Sequence, residues 1–187
     1  MPRLFVALTM PEEISAQLDR LCVGLPGVRW TEPEQFHLTL RFIGEVGQGT
    51  FYEIGEALAG VAHPPLELRL KGLGQFPTRG GGPQTLWAGV EDPESLTPLR
   101  RRVERALVEA GLEPERRKFT PHVTLGRFRY PPPEDRFGSW LAARSLFRSS
   151  AFPVSGFELY SSVLRPEGAL HALEAGYDFV TGAMERA

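Results

Sequence analysis

Short apolar runs punctuated by glycine, proline and charge make up most of the chain, and two of these runs match each other. In Phe36-His37-Leu38-Thr39-Leu40-Arg41-Phe42-Ile43-Gly44, a two-residue period puts His37, Thr39 and Arg41 on one face of a strand and Leu38, Leu40 and Phe42 on the other. Pro121-His122-Val123-Thr124-Leu125-Gly126-Arg127-Phe128 repeats the arrangement, with His122 and Thr124 in front and Val123 and Leu125 behind. The histidines lie 85 positions apart in a chain of 187. A single His-x-Thr occurs by chance in many proteins. Two copies on matching strand patterns, each with aliphatic residues behind an imidazole and a hydroxyl, read as two walls of one site.

Around these strands the pattern predicts alternating helices and strands. Residues 3–8 read as a buried first strand, followed by Ile14, Leu18, Leu21, Cys22 and Leu25 at helical spacing up to Pro26-Gly27. Thr50 is placed to cap a second helix with the stripe Phe51, Ile54, Leu58 and Val61, and Leu66, Leu68 and Leu70 alternate with charge as a half-buried strand running towards Gly74. A loop at Arg79–Pro83 leads to a strand over Thr85–Val90. Leu96, Leu99, Val103, Ala106, Leu107 and Ala110 mark the best helix, closed by Gly111; another runs from about Glu134 through Trp140 and Leu146. Phe157–Leu164 and Leu170–Val180 read as a closing hairpin around Arg165-Pro166-Glu167-Gly168. Lys71-Gly72-Leu73 follows the first histidine at nearly the interval at which Ser155-Gly156-Phe157 follows the second. This grammar predicts one domain over 1–187 made of two duplicated lobes, approximately 1–92 and 93–187, sharing a core.

Composition narrows the function classes. With 42% hydrophobic and 24% charged residues the chain is globular, and its only cysteine, Cys22, leaves no disulfide framework and fits a reducing, cytoplasmic location. The opening apolar run is too short for a signal peptide, and no run is long enough to span a membrane. A net charge of −2 argues against a protein that coats nucleic acid non-specifically. The charge is uneven, however: residues 100–129 hold nine basic side chains against four acidic ones, centred on the second His-x-Thr. For Arg100–Arg105 a solvated helix face competes with a functional reading, whereas Arg116, Arg117, Lys118 and Arg127 are expected to form an electropositive rim around a phosphate site.

Two histidines facing each other across a cleft can occupy opposite protonation states, one donating and one accepting a proton. Threonine hydroxyls two residues on can donate to an anion held between them. An anionic centre with an acid on one side and a base on the other describes in-line displacement at phosphorus, with Arg127 helping to hold the non-bridging oxygens. By simple alternation Arg127 falls on the face opposite His122, so this role depends on a bend near Gly126. A hydrolytic zinc site uses a third protein ligand, which the motif lacks, so no metal and no cofactor are expected. His63, before Pro64-Pro65, reads as a surface or capping residue; His171 stands in the last strand, a candidate border of the cleft, and a structural role is the better reading of it. Phe76, Trp87, Phe119 and Tyr130 are candidates for stacking on a base, though for most of them a core position is the better reading and none stands out.

The paired motifs, together with Leu4-Phe5-Val6-Ala7-Leu8 followed by Pro11, Gln75-Phe76-Pro77 and Leu86-Trp87-Ala88-Gly89, resemble the bacterial and archaeal 2′–5′ RNA ligase family across essentially the whole chain. That family, also called RNA 2′,3′-cyclic phosphodiesterase, belongs to the two-histidine phosphoesterases. The resemblance implies a bilobal α+β fold with two antiparallel sheets forming a central cleft and helices outside. It implies hydrolysis of 2′,3′-cyclic phosphate ends to 2′-phosphates, with a reversible ATP-independent ligase activity in some members. By position, His37 would be the proton donor and His122 the acceptor, with Thr39 and Thr124 binding phosphate; the sequence itself is symmetric as to which histidine is the acid. The expected partners are RNA ends or small cyclic nucleotides, and the expected state a monomer. A non-catalytic RNA-end or nucleotide-binding module is the alternative.

Overall fold

The structure is a computed structural model that describes residues 3–78, 80, 83–165 and 168–179. Among these, ten strands run β1 (Arg3–Thr9), β2 (Val28–Trp30), β3 (His37–Glu45), β4 (Leu66–Leu68), β5 (Leu70–Pro77), β6 (Pro83–Val90), β7 (His122–Phe128), β8 (Phe152–Val154), β9 (Gly156–Arg165) and β10 (Gly168–Asp178). Four helices intervene: α1 (Glu12–Asp19), α2 (Gln48–Ala59), α3 (Thr97–Glu109) and α4 (Glu134–Ala143). The class is α+β with antiparallel sheets, as the family resemblance implies.

Strand order in the large sheet is β10-β9-β1-β3-β7-β6-β5, with β2 paired to β7 and a separate two-stranded ladder of β4 and β8. Its two halves, β10-β9-β1-β3 and β7-β6-β5, meet where Leu38 on β3 pairs with Val123 on β7. His37 and His122 sit at the N-terminal ends of these two central strands, one residue before that join. The lobes interleave: β5 and β6 from the first half of the chain flank β7, while β9 and β10 from the second half flank β1 and β3.

One hydrophobic core lies behind this sheet. Leu4, Val6 and Leu8 from β1 and Leu38 from β3 join Leu125 from β7, Ile54 and Leu58 from α2, and Leu99, Val103 and Leu107 from α3. α3 closes at Gly111, whose φ of +88° is readily reached only by a residue without a Cβ.

Several boundaries differ from the pattern's expectation. α1 stops at Asp19 rather than near Leu25, because Leu21 and Cys22 continue in tight turns that bond back three residues and Gly24 takes a left-handed φ of +83°. Thr50 is not the cap of α2: Gln48 opens the helix and Gly47 occupies the cap position without a side-chain bond. The strand expected over Leu66–Leu70 splits at Arg69 into β4, which pairs with β8, and β5, which pairs with β6. Arg69 itself turns to the Ser149 carbonyl and to Glu91. α4 ends at Ala143, leaving Leu146 94% exposed. β2 carries no period of its own, and the hydrophobic pattern does not predict it. In the expected loops, Arg79, Gly81 and Gly82, and Pro166 and Glu167, lie outside the described residues, as does Val180.

Candidate active site

The site is built from the two matched strands and from the irregularity that directly follows the His-x-Thr in each. On β3, Val6 pairs with Arg41 and Ala7 with Thr39, so Leu40 is an extra residue in the ladder. Such a bulge advances the side-chain alternation by one position. His37 and Thr39 therefore face the cleft, Leu40 and Arg41 both turn inward, and Phe42 returns to the cleft side with 46% of its surface exposed.

This corrects the expectation that Arg41 shares a face with His37 and that Phe42 is hidden. Arg41 is buried behind the sheet, where its Nε donates to Glu104 on α3 at 2.8 Å and its Nη2 donates to the Glu113 carbonyl at 2.7 Å. A cation there needs those acceptors, since an uncompensated buried charge costs several kcal/mol.

The second strand carries the same device. Trp87 pairs with Thr124 and Leu86 with Gly126, leaving Leu125 as the extra residue. Leu125 and Gly126 face inward and Arg127 swings to the cleft, beside His122 and Thr124. The bend on which Arg127's role depended is this bulge. Gly126 is required by β2, since a Cβ there would lie 2.6 Å from Val28 Cγ1 and 2.8 Å from the Arg29 carbonyl oxygen. Arg127 donates to Thr85 Oγ1 at 3.0 Å. Residues 42 and 127 are thus counterparts, five positions after each histidine, and they differ in kind: a phenyl ring on one side of the cleft and a guanidinium on the other.

The two imidazoles are held identically. His37 Nδ1 donates to the Gln35 carbonyl at 2.7 Å and His122 Nδ1 to the Thr120 carbonyl at 2.7 Å. A carbonyl only accepts, so each Nδ1 carries a hydrogen and each Nε2 is the nitrogen left for chemistry. Aromatic rings brace both: Phe5 lies 5.0 Å from His37, and Phe76 and Trp87 lie 4.8 and 6.0 Å from His122. Burial, opposed in part by the bond to Gln35 and reinforced by His171, His122 and Arg127, pushes His37 down to about 4. Burial also lowers His122, with Arg127 adding to the effect and the Thr120 bond opposing it. Arg127 is lowered by burial and by Arg29.

These strands wall a cleft of about 900 Å³. His37, Thr39, His122, Thr124 and Arg127 all line it, while Leu38, Leu40, Val123 and Leu125 lie buried behind them. The basic rim differs from expectation. Arg117 is engaged by Glu115, whose carboxyl it holds down at about 2, and Arg116, Arg117 and Lys118 do not line the cleft; Arg3, Arg29 and Arg127 do. Of the aromatics singled out, Phe76 and Trp87 support His122, Phe119 lies under Arg100, and Tyr130 lies against Gly27. Phe42 and Trp30 line the cleft instead, Trp30 because β2, unseen in the sequence, lies against β7. His63 is buried rather than superficial, bonded to the Pro64 carbonyl and packed 5.2 Å from Phe179. His171 lines the cleft next to His37. Among the described residues no group of three or more His, Cys, Asp or Glu side chains is placed to hold a metal ion.

A bilobal α+β fold whose lobes each present a His-x-Thr strand to one cleft defines a protein of the two-histidine kind. The sequence model of the 2'-5' RNA ligase superfamily matches residues 10–164, and the chain belongs to that family. It is 36% identical to the RNA 2',3'-cyclic phosphodiesterase of Aeropyrum pernix over 149 residues, covering 79% of this chain and 84% of that one. It is 33% identical to the protein of the same name from Thermotoga maritima, over 90% and 91% of the two chains. Among solved structures, TT0787 of Thermus thermophilus superposes with a TM-score of 0.75 at 28% identity, over 95% of this chain and 97% of that one. Apo LigT of E. coli superposes with a TM-score of 0.72 at 25% identity and the same coverage.

Proposed function

We propose that this protein is an RNA 2′,3′-cyclic phosphodiesterase that opens terminal 2′,3′-cyclic phosphates to 2′-phosphates, with His37 as general acid and His122 as general base. The observation that carries this reading is the pair of Nδ1-anchored imidazoles in one cleft with two threonines and Arg127. The names of the relatives give the same reaction class. Nε2 of neutral His122 takes a proton from water as its oxygen attacks phosphorus. The bond from phosphorus to the 3′-oxygen breaks opposite the attack, and Nε2–H of protonated His37 delivers a proton to that oxygen. Thr39 and Thr124 donate to the non-bridging oxygens and Arg127 offsets their charge, a stabilisation that grows as negative charge gathers on them. The choice of His37 as acid follows the family resemblance.

Burial keeps His37 neutral in the free protein at neutral pH. The acid role therefore needs the substrate's own phosphate anion, which favours the imidazolium as it binds. The same geometry run backwards would join a 5′-hydroxyl through a 2′–5′ bond. We read the protein as a cytoplasmic monomer acting on RNA ends or small cyclic nucleotides. Among the described residues no helix is long and apolar enough to cross a membrane, and Cys22 is a free thiol that burial pushes up to about 12.

His37→Ala and His122→Ala test the pair on 2′,3′-cyclic AMP. Each is expected to lose about 10²–10⁴-fold in turnover while remaining folded. A folded single variant with near-normal turnover would reject the mechanism. A wild-type protein that binds the nucleotide without turning it over would make the chain a binding module.

A further inference from the structure

His171 is unexplained by the reaction as drawn. It sits on β10, separated from β3 by two strands in the sheet order, yet its ring meets that of His37 at 5.1 Å and 82° and that of Phe5 at 4.9 Å and 76°. Phe5 in turn lies 5.0 Å from His37, so the three rings form a closed cluster. The His122 side has the matching arrangement in Phe76, Trp87 and His122, whose rings lie 4.8 to 6.0 Å apart. Each imidazole is therefore gripped by one backbone carbonyl and by rings, two at His122 and three at His37, where Tyr160 lies farther off at 6.5 Å. The difference between the grips is that His171 titrates. Its Nδ1 is buried and finds no hydrogen-bond partner among the described residues, an unusual state for a polar atom beside a site of this kind.

We propose that His171 is a positioning residue for His37, completing the ring clamp on the acid side and competing with His37 for a single proton. This rests on the two-histidine reading above. Two imidazolium rings 5.1 Å apart repel, so the pair holds one proton more easily than two. His171 is the less buried of the two, so desolvation opposes its protonation less. In the free cleft the first proton goes to His171, and a bound phosphate draws protonation to His37.

Other charged groups facing the cluster do not replace this competition. From β7, His122 and Arg127 lower His37 further. On β1, Arg3 is paired with Glu45 of β3 at 3.2 Å. On β9, Glu158 accepts from the Thr9 amide, and Tyr160 shares a hydrogen bond with the Thr9 hydroxyl.

The test is an NMR titration of the His37 ring in the free protein, together with steady-state kinetics. In His171→Asn, which keeps a polar side chain but cannot take a proton, His37 is expected to titrate on the order of one pH unit higher. In His171→Phe, which keeps the ring, kcat at pH 7 should stay within about threefold of wild type. In His171→Ala, kcat should fall about tenfold or more at unchanged KM. An unmoved His37 titration in His171→Asn overturns the shared proton, and a wild-type kcat in His171→Ala overturns the clamp. The titration needs no turnover, so these results stand apart from the fate of the catalytic reading, which His37→Ala and His122→Ala decide in the same assay.

Discussion

His37 is the residue on which most of the physics converges. Its Nδ1 is fixed by the Gln35 carbonyl, its ring is packed on Phe5, and burial pushes it down to about 4. An unfolded histidine titrates near 6.5, so between those values the unfolded chain binds the extra proton. His37 therefore favours the folded state fully above about pH 6.5 and loses that contribution as pH falls towards 4, by up to about 3 kcal/mol. Chemical denaturation across this window should show a steeper acid loss in wild type than in His37→Gln; parallel curves would mean that the imidazole is not buried in its neutral form. Activity should carry the same signature. Because both imidazoles are lowered, the bell of kcat/KM against pH, which reports the free protein, is expected to peak on the acid side of 6.5. A peak at or above pH 7.5 would contradict the acid–base pair. His37 and His122 are visible in the sequence because an imidazole two residues before a hydroxyl recurs on matching strands. His171 is legible only as a residue of a last strand that could border the cleft, because its place beside His37 is made by strand pairing across 134 positions of chain.

At the scale of elements, the bulges in β3 and β7 decide which side chains reach the cleft. Strict alternation reads the first four positions of each motif correctly, His37 to Leu40 and His122 to Leu125, and fails after the extra residue, which is why Arg41 and Phe42 exchange faces and why Arg127 arrives at the cleft. Nothing in Leu40-Arg41 or Leu125-Gly126 announces a bulge except the glycine. Gly126 has a physical reason that only the neighbouring strand supplies, since β2 approaches too closely for any side chain. Gly126→Ala should force β2 and β7 apart, costing about 1–3 kcal/mol by overpacking. It should also lower kcat/KM through displacement of Arg127. A variant with unchanged melting temperature and unchanged kcat/KM would show that this crowding does not place Arg127. The short β2 and β8 are not legible in the sequence because three-residue strands carry too little periodicity to be distinguished from turns, and β4 is legible only as the start of the longer strand that breaks at Arg69.

For the whole molecule, the central fact is that neither lobe is built from one half of the chain. β9 completes the sheet around His37 and β5–β6 completes the sheet around His122, so the two histidines stand on one continuous sheet over a shared core. One sheet under both histidines suits a reaction with one defined line of attack. A 2′,3′-cyclic phosphate offers two leaving oxygens, and in-line displacement expels the one opposite the attacking water. In the proposed reaction His122 stands at the water and His37 at the leaving oxygen, and a ribose seated one way gives one product. The account predicts that incubation with 2′,3′-cyclic AMP, followed by chromatography against authentic 2′-AMP and 3′-AMP, yields 2′-AMP alone. A 3′-AMP product, an even mixture, or no hydrolysis by the intact protein would contradict it.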